Sequence, residues 1–186
     1  MQVDEIPTRL DGPRLLAPRA FGDERGFFME TFRANVFAER FGIDDTFVQD
    51  NHSRSAYGVV RGMHFTIGEG AAKLVRCARG AIVDVLIDIR RSSASYGRWE
   101  AYELSDDNLR VLYAPPGFAH GFCVVSDVAD VIYKQSAYYS TDVERGIKLD
   151  DPDVGIQWPV APDRRILSQR DLDAPTLREF EPDNPF

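Results

Sequence analysis

The chain has 186 residues, a length that a single domain with a sizeable core accounts for, and it reads as one domain over residues 1–186. Its apolar and charged fractions, 44% and 28%, are those of an ordinary globular protein rather than a disordered or fibrous one. A net charge of -8 and a pI near 4.9 exclude nucleic acid and an anionic membrane surface as partners, so an anionic ligand would need a local basic cluster.

The N-terminal stretch MQVDEIPTRL lacks the apolar core of a signal peptide, and no apolar run approaches membrane-spanning length. The cytoplasm is the expected compartment. Cys77 and Cys123 each sit in an apolar strand-like run and are expected to be buried, reduced thiols.

Short strand-like runs punctuated by glycine and proline follow one another: LLAPRAF, GFFMETF, DTFVQDNHS, GVVRGMHF, AKLVRCAR, AIVDVLIDIR, RWEAYELS, RVLYAPP, AHGFCVVS and DVIYKQSAYYS. Between the second and third, Arg33–Phe41 with Gly42 behind it reads as a short helix with a C-cap glycine. The βαβα alternation of a parallel sheet is missing. The chain is therefore expected to be an all-β, antiparallel jelly-roll barrel with a few short helices.

The stretch Val60–Val75, VRGMHFTIGEGAAKLV, gathers Arg61, His64 and Lys73. Alternation puts Lys73, Val75 and Cys77 on one strand face. A lysine and a histidine aimed into a barrel are costly unless used. The plainer reading makes Lys73 a strand-end charge and His64 a satisfied core histidine. In AIVDVLIDIR, Asp84, Leu86 and Asp88 share a face. Either the aspartates face solvent on a one-sided sheet or Asp84 enters a polar lumen; the pattern leaves both open.

Pro115-Pro116-Gly117 demands a turn, and His120 follows between Ala119 and Gly121, small neighbours that leave room for a ligand. Tyr133 and Tyr139 are an even number of residues apart, so they share a face if their strand is unbroken, about 20 Å apart along it. That would suit an extended ligand; packing in the core or at an interface is the plainer reading. Ser168-x-x-Asp171 fits a helix capping box, which alone would explain Asp171 and leave Arg170 a solvated charge. Both gain weight only if the chain folds back over the barrel mouth.

No two histidines form an HxH pair, and a site from His52, His64 and His120 is the one metal reading the spacing leaves open. Phosphate-binding GxxxxGK[ST], dinucleotide GxGxxG and nucleophile-elbow motifs are absent.

Taken in order, RGFFMETF, FVQDNHSRS, RGMH, AKLVRCARG, DVLIDIRRSSASYGRW, PPGFAHGF, YKQSAYYS, ERGIKLDDPDVGIQWP and LSQRD resemble the dTDP-4-dehydrorhamnose 3,5-epimerase family over most of the chain. The resemblance implies a metal-free cupin-type jelly roll, a homodimer, no cofactor, and a dTDP-linked 4-keto-6-deoxyhexose as substrate in deoxysugar biosynthesis. Enolisation beside the C4 ketone would invert C3 and C5. The resemblance implies His64 as base, Asp171 as the acid that orients it, Tyr133 as proton donor and Lys73 as the group facing the enolate oxygen. It implies substrate contacts for Arg25, Glu30, Gln49, Asn51, Arg61, His120, Glu144 and Arg170, and thymine stacking for Tyr139. Thr66 stands where many members carry glutamine, Gly68-Glu69-Gly70 replaces a proline-containing turn, and Arg170 replaces a common lysine. A single-carbon epimerase of a related nucleotide sugar and a non-catalytic nucleotide-sugar-binding barrel are the alternatives, with a metal-dependent cupin enzyme behind them.

Overall fold

The computed structural model describes residues 1–186. Its strands are β1 (Val3–Ile6), β2 (Arg14–Pro18), β3 (Ala20–Asp23), β4 (Gly26–Met29), β5 (Gln49–Ala56), β6 (Val60–Thr66), β7 (Lys73–Arg79), β8 (Ala81–Asp88), β9 (Trp99–Ser105), β10 (Val111–Ala114), β11 (Phe118–Val124), β12 (Val128–Gln135) and β13 (Glu144–Gly146). Helix α1 covers Ala34–Phe41, and two single-turn helices, α2 (Gln169–Leu172) and α3 (Leu177–Phe180), lie near the C-terminus.

A six-stranded sheet in the order β1-β2-β10-β7-β12-β5 faces a five-stranded sheet in the order β13-β6-β11-β8-β9. A separate hairpin, β3-β4, stands apart from both. Every ladder is antiparallel. The all-β jelly-roll expectation is met.

Strand alternation sorts the apolar residues into three cores. Leu15, Val75, Leu86, Tyr102, Leu112, Phe122 and Val131 fill the space between the sheets. The outer face of the five-stranded sheet presents Met63, Phe65, Val85 and Ile87, which the C-terminal segment covers with Ile147, Trp158, Leu177 and Phe180. Helix α1 lays Phe37 and Phe41 over Leu16, Leu74 and Val111 on the outer face of the six-stranded sheet. Full burial of each such side chain contributes about 1.5–3 kcal/mol. Both sheets are therefore covered outside as well as inside, and a polar residue on an inner face is enclosed.

Helix α1 begins one residue later than expected, because Arg33 is its extended N-cap. Gly42 ends it at φ 68°, donating its N–H to the Ala38 carbonyl. LLAPRAF divides at Arg19 into β2 and β3, and pairing in DTFVQDNHS starts only at Gln49. Asp84 and Asp88 are both fully buried, so the solvent-facing alternative for β8 is removed.

The DVIYKQSAYYS strand stops at Gln135. Tyr139 lies beyond it in the following loop, so it does not share a strand face with Tyr133, and the 20 Å separation along one strand does not apply. The Ser136 hydroxyl accepts a bond from the Ala72 N–H as the chain turns away from the ladder.

Gly62 and Gly121 let β6 and β11 approach more closely than side chains allow. A Cβ on Gly62 would lie 2.5 Å from the Gly121 Cα, and one on Gly121 would lie 2.6 Å from the Met63 sulfur. The β6–β11 register shifts between His120 and Phe122 at this contact, and His64 remains the direct partner of His120.

Candidate active site

Cross-strand pairing brings the two histidines to one place. His64 on β6 is directly opposite His120 on β11, so both side chains leave the same face of the five-stranded sheet. Lys73 and Tyr133 enter from the facing sheet: Tyr133 is opposite Val75 and Gln135 is opposite Lys73. The expected grouping of Lys73, Val75 and Cys77 on one face holds. Together these residues line a cavity of about 560 Å³ between the sheets, with Arg61, His120, Tyr139, Glu144, Arg170 and Asp171.

The C-terminal segment closes the cavity's side. A parallel bridge joins Val59 to Ile166, with the Val60 N–H donating to the Ile166 carbonyl at 3.0 Å. The chain then enters α2, whose N-cap Ser168 accepts from the Asp171 N–H at 3.2 Å. Only half of the anticipated capping box forms. The Asp171 carboxylate turns inward instead and lies 2.6 Å from His64 Nε2. Burial works against its charge, but the contact with His64, then Ser168 and Arg170, outweigh burial and hold Asp171 below the usual carboxylate range.

His120 follows the Pro115-Pro116-Gly117 turn, as expected. It lies in mid-strand, buried, with Nε2 2.9 and 3.0 Å from the two Asp84 carboxylate oxygens. Two histidines thus face one cavity, each held by a buried aspartate. His52 leaves the opposite side of β5, exposed, 3.3 Å from Asp130. Since His64 and His120 spend Nε2 on aspartates and His52 points away, the three-histidine metal site is overturned by geometry; no group of three His, Cys, Asp or Glu side chains has metal-ligand spacing.

Lys73 is buried, and its Nζ reaches the His64 carbonyl oxygen at 3.5 Å. Burial lowers its pKa; Glu144 and Asp84 oppose that, and Arg170 adds to it. Burial raises the Tyr133 pKa, with Glu144 reinforcing the shift, which favours the protonated phenol. Glu144 lies 3.9 Å from Arg170 and accepts from the Thr66 hydroxyl at 3.3 Å. Arg61 Nε donates to the Ser55 hydroxyl at 3.1 Å. The basic cluster that an acidic protein needs for an anionic ligand is present as Arg61, Lys73 and Arg170.

Four of the anticipated residues lie outside the cavity lining. Arg25 sits in the β3-β4 hairpin and pairs with Asp23. Glu30 pairs with the Met1 ammonium at 3.1 Å and with Arg33. Gln49 and Asn51 bond to each other at 2.9 Å on β5, and Gln49 Oε1 accepts from the Tyr139 N–H at 2.8 Å. Gln49 therefore positions the loop that carries Tyr139 into the cavity. Sequence reasoning missed Ser53 and Gln135, both cavity-lining. The signal for them was strand alternation: Ser53 is two residues from Asn51, and Gln135 two from Tyr133.

A barrel with paired His–Asp couples, a lysine and a tyrosine around one pocket has the layout of an acid–base enzyme. The family model for dTDP-4-dehydrorhamnose 3,5-epimerase matches residues 7–179. The dTDP-4-dehydrorhamnose 3,5-epimerase of Shigella flexneri is 47% identical over 171 residues, covering 91% of this chain and 93% of that protein. A dTDP-4-dehydrorhamnose 3-epimerase from Streptomyces niveus is 40% identical, covering 93% and 83%. Among solved structures, the Legionella pneumophila 3,5-epimerase in complex with dTDP-4-keto-L-rhamnose superposes with a TM-score of 0.94 at 41% identity, over 98% of this chain and 96% of that one. The chain belongs to the dTDP-4-dehydrorhamnose 3,5-epimerase family and is a cupin-type sugar-nucleotide isomerase.

Proposed function

We propose that this cavity takes a dTDP-linked 4-keto-6-deoxyhexose and inverts C3 and C5 by enolisation next to the C4 ketone, with no metal or nicotinamide. The observation that carries the reading is the 2.6 Å contact between His64 Nε2 and Asp171. A carboxylate accepts, so Nε2 bears the proton and Nδ1 keeps the lone pair that abstracts the substrate's. Asp171 then stabilises the imidazolium. Lys73 stands against the developing enolate oxygen, where a cation in a water-poor site is worth most. Tyr133, held protonated by burial, returns a proton to the face opposite His64. Arg61 and Arg170 offer fork-shaped donors to the diphosphate, Glu144 holds Arg170, His120 contacts the sugar, and Tyr139 stacks on the base.

A homodimer would account for the assignments of Arg25 and Glu30. Phe21, Phe27 and Phe28 of the β3-β4 hairpin are 51%, 62% and 68% exposed, an apolar surface suited to a homodimer contact. Arg25 and Glu30, away from the cavity of their own chain, would reach substrate through such a pairing. The cytoplasm is the compartment this reading assigns. Cys77 and Cys123 are free and buried, with burial pushing both thiols up to about 11, and no helix is long and apolar enough to cross a membrane.

Turnover in D₂O tests the mechanism. The wild-type protein should place deuterium at both C3 and C5. In Tyr133→Phe, inverting reprotonation should slow about 10²–10⁴-fold, while His64 still exchanges protons on its own face, so exchange outruns inversion. Inversion of both centres at the wild-type rate in that variant would remove Tyr133 as the donor. Label at one carbon would favour the single-carbon alternative, for which Thr66 beside Glu144 is the local difference; no label at all would favour a binding module.

A further inference from the structure

We infer that a second pocket beside His64, kept open by Gly146 and Ala174, is a water port through which the base exchanges its captured proton with solvent while the sugar fills the main cavity. The inference rests on the reading of that cavity as an epimerase site with His64 as its base.

Gly146 on β13 is the direct partner of His64 on β6, so a side chain at 146 would leave the sheet on the same face as the imidazole. Its φ lies outside the left-handed region. A Cβ there would meet the Met63 carbonyl oxygen at 3.4 Å, His64 Cδ2 at 3.6 Å and the Ala174 Cβ at 3.8 Å, all ordinary contacts. Neither backbone conformation nor close approach demands this glycine, unlike Gly62 and Gly121 nearby. What the missing side chain leaves is space. A pocket of about 200 Å³ lies here, lined by His64, Asp171, Glu144, Arg170, Ala174 and Pro175 among others. It shares His64, Glu144, Arg170 and Asp171 with the main cavity, but Lys73, His120 and Tyr133 take no part in it. Arg170 and Pro175 are exposed, so the pocket opens to solvent. Its volume has room for several waters at about 30 Å³ each, and its carboxylates and guanidinium groups can hold them.

The chemistry needs such a route. In each inversion His64 takes a proton from the sugar and becomes imidazolium, while Tyr133 gives one and becomes phenolate. A second inversion of the same bound sugar requires both to be reset. The imidazolium must pass one proton to water, leaving a neutral ring beside the charged Asp171, and the phenolate must regain one from solvent; the two transfers cancel. The sugar lies between the two groups, so water on the tyrosine's side does not serve the base. The port meets the imidazole at its Cδ2 edge, next to the Nε2 held by Asp171. The two His–Asp couples differ accordingly: the His64 side chain is 24% exposed and that of His120 9%.

The Tyr133→Phe background isolates the step, because deuterium entering un-inverted sugar there reports only exchange at His64 while the enolate is bound. Adding Gly146→Ala places a methyl against the ring, and wash-in from D₂O should fall about tenfold while dTDP affinity changes less than about twofold. Ala174→Leu fills the port from α2's side of it and should do the same; it also keeps the test open if Gly146→Ala fails to fold. With Tyr133 intact, either variant should accumulate singly inverted sugar early in turnover. Unchanged wash-in in the folded port variants, or a fall in dTDP affinity matching the fall in wash-in, would overturn the port. Tyr133→Phe alone showing no wash-in would instead overturn His64 as base, and with it the reading of the cavity.

Discussion

His64 and Asp171 are 107 residues apart in sequence and 2.6 Å apart in space. A depressed carboxylate pKa means that Asp171 is charged at neutral pH, and its contribution to stability is complete above the ordinary carboxylate value and disappears as pH falls through the folded one. Asp171→Asn replaces an acceptor-only group with one that can also donate. The His64 tautomer is then no longer fixed, and the imidazolium loses its counter-charge. Its kcat should fall by about 10²–10⁴-fold while dTDP affinity stays within twofold, since the nucleotide does not depend on the tautomer. A matched fall in dTDP affinity would place Asp171 in binding rather than in proton transfer. His120, which the sequence placed just past a turn, repeats the arrangement with Asp84 on the same cavity.

Among the elements, the turn after β8 depends on one buried acid. Asp88 accepts from Arg90 at 2.7 Å and from the hydroxyls of Ser93 and Ser95 at 2.6 Å each. Burial disfavours its charge, yet these donors bring its pKa down to about 2. The shift from the ordinary carboxylate value corresponds to about 2–3 kcal/mol of stability at neutral pH. Because the folded value is the lower one, that stability is intact above the ordinary carboxylate value and is lost as pH falls toward about 2. Asp88→Asn should lower the neutral-pH stability by that amount and flatten the acid limb of a urea-denaturation series run against pH. An unchanged acid limb would assign the acid sensitivity to other carboxylates. The turn lies away from the cavity lining, so catalytic constants in the variant should hold at temperatures where it stays folded.

For the whole molecule, the β3-β4 hairpin is the part that packs least against the rest of its own chain. It belongs to neither large sheet and exposes three phenylalanines, with Arg25 between its strands and Glu30 just after them. Replacing Phe27 and Phe28 with aspartate should shift the particle in light scattering to the single-chain mass of 21.0 kDa. If Arg25 and Glu30 serve a second copy's cavity, activity should fall with it. A wild-type protein already at the single-chain mass, or an active monomer, would confine both residues to their own hairpin.

The sequence by itself determined the fold class, most of the strand runs though not β1 or β13, and helix α1 with its glycine stop, because alternation and caps are local properties. It also singled out His64 and Lys73, whose types are costly on an inner strand face, His120 through its small neighbours, and Tyr133 through a spacing to Tyr139 that the end of β12 breaks. It pointed to Asp171 and Arg170 only through resemblance. The tertiary structure decided three further matters. The side on which Asp84 lies depended on both sheets being covered, which no single strand records. The pairing of His120 with Asp84 depended on the β8–β11 register, and that of His64 with Asp171 on the parallel bridge at Ile166 that brings α2 back against β6. The partners that Gln49 bonds, Asn51 and the Tyr139 N–H, depended on what packs around its strand. Hydrogen-bond satisfaction is a property of the finished assembly: a strand pattern tells which way a side chain points, and only the packed neighbours decide whether it still has a bond to give.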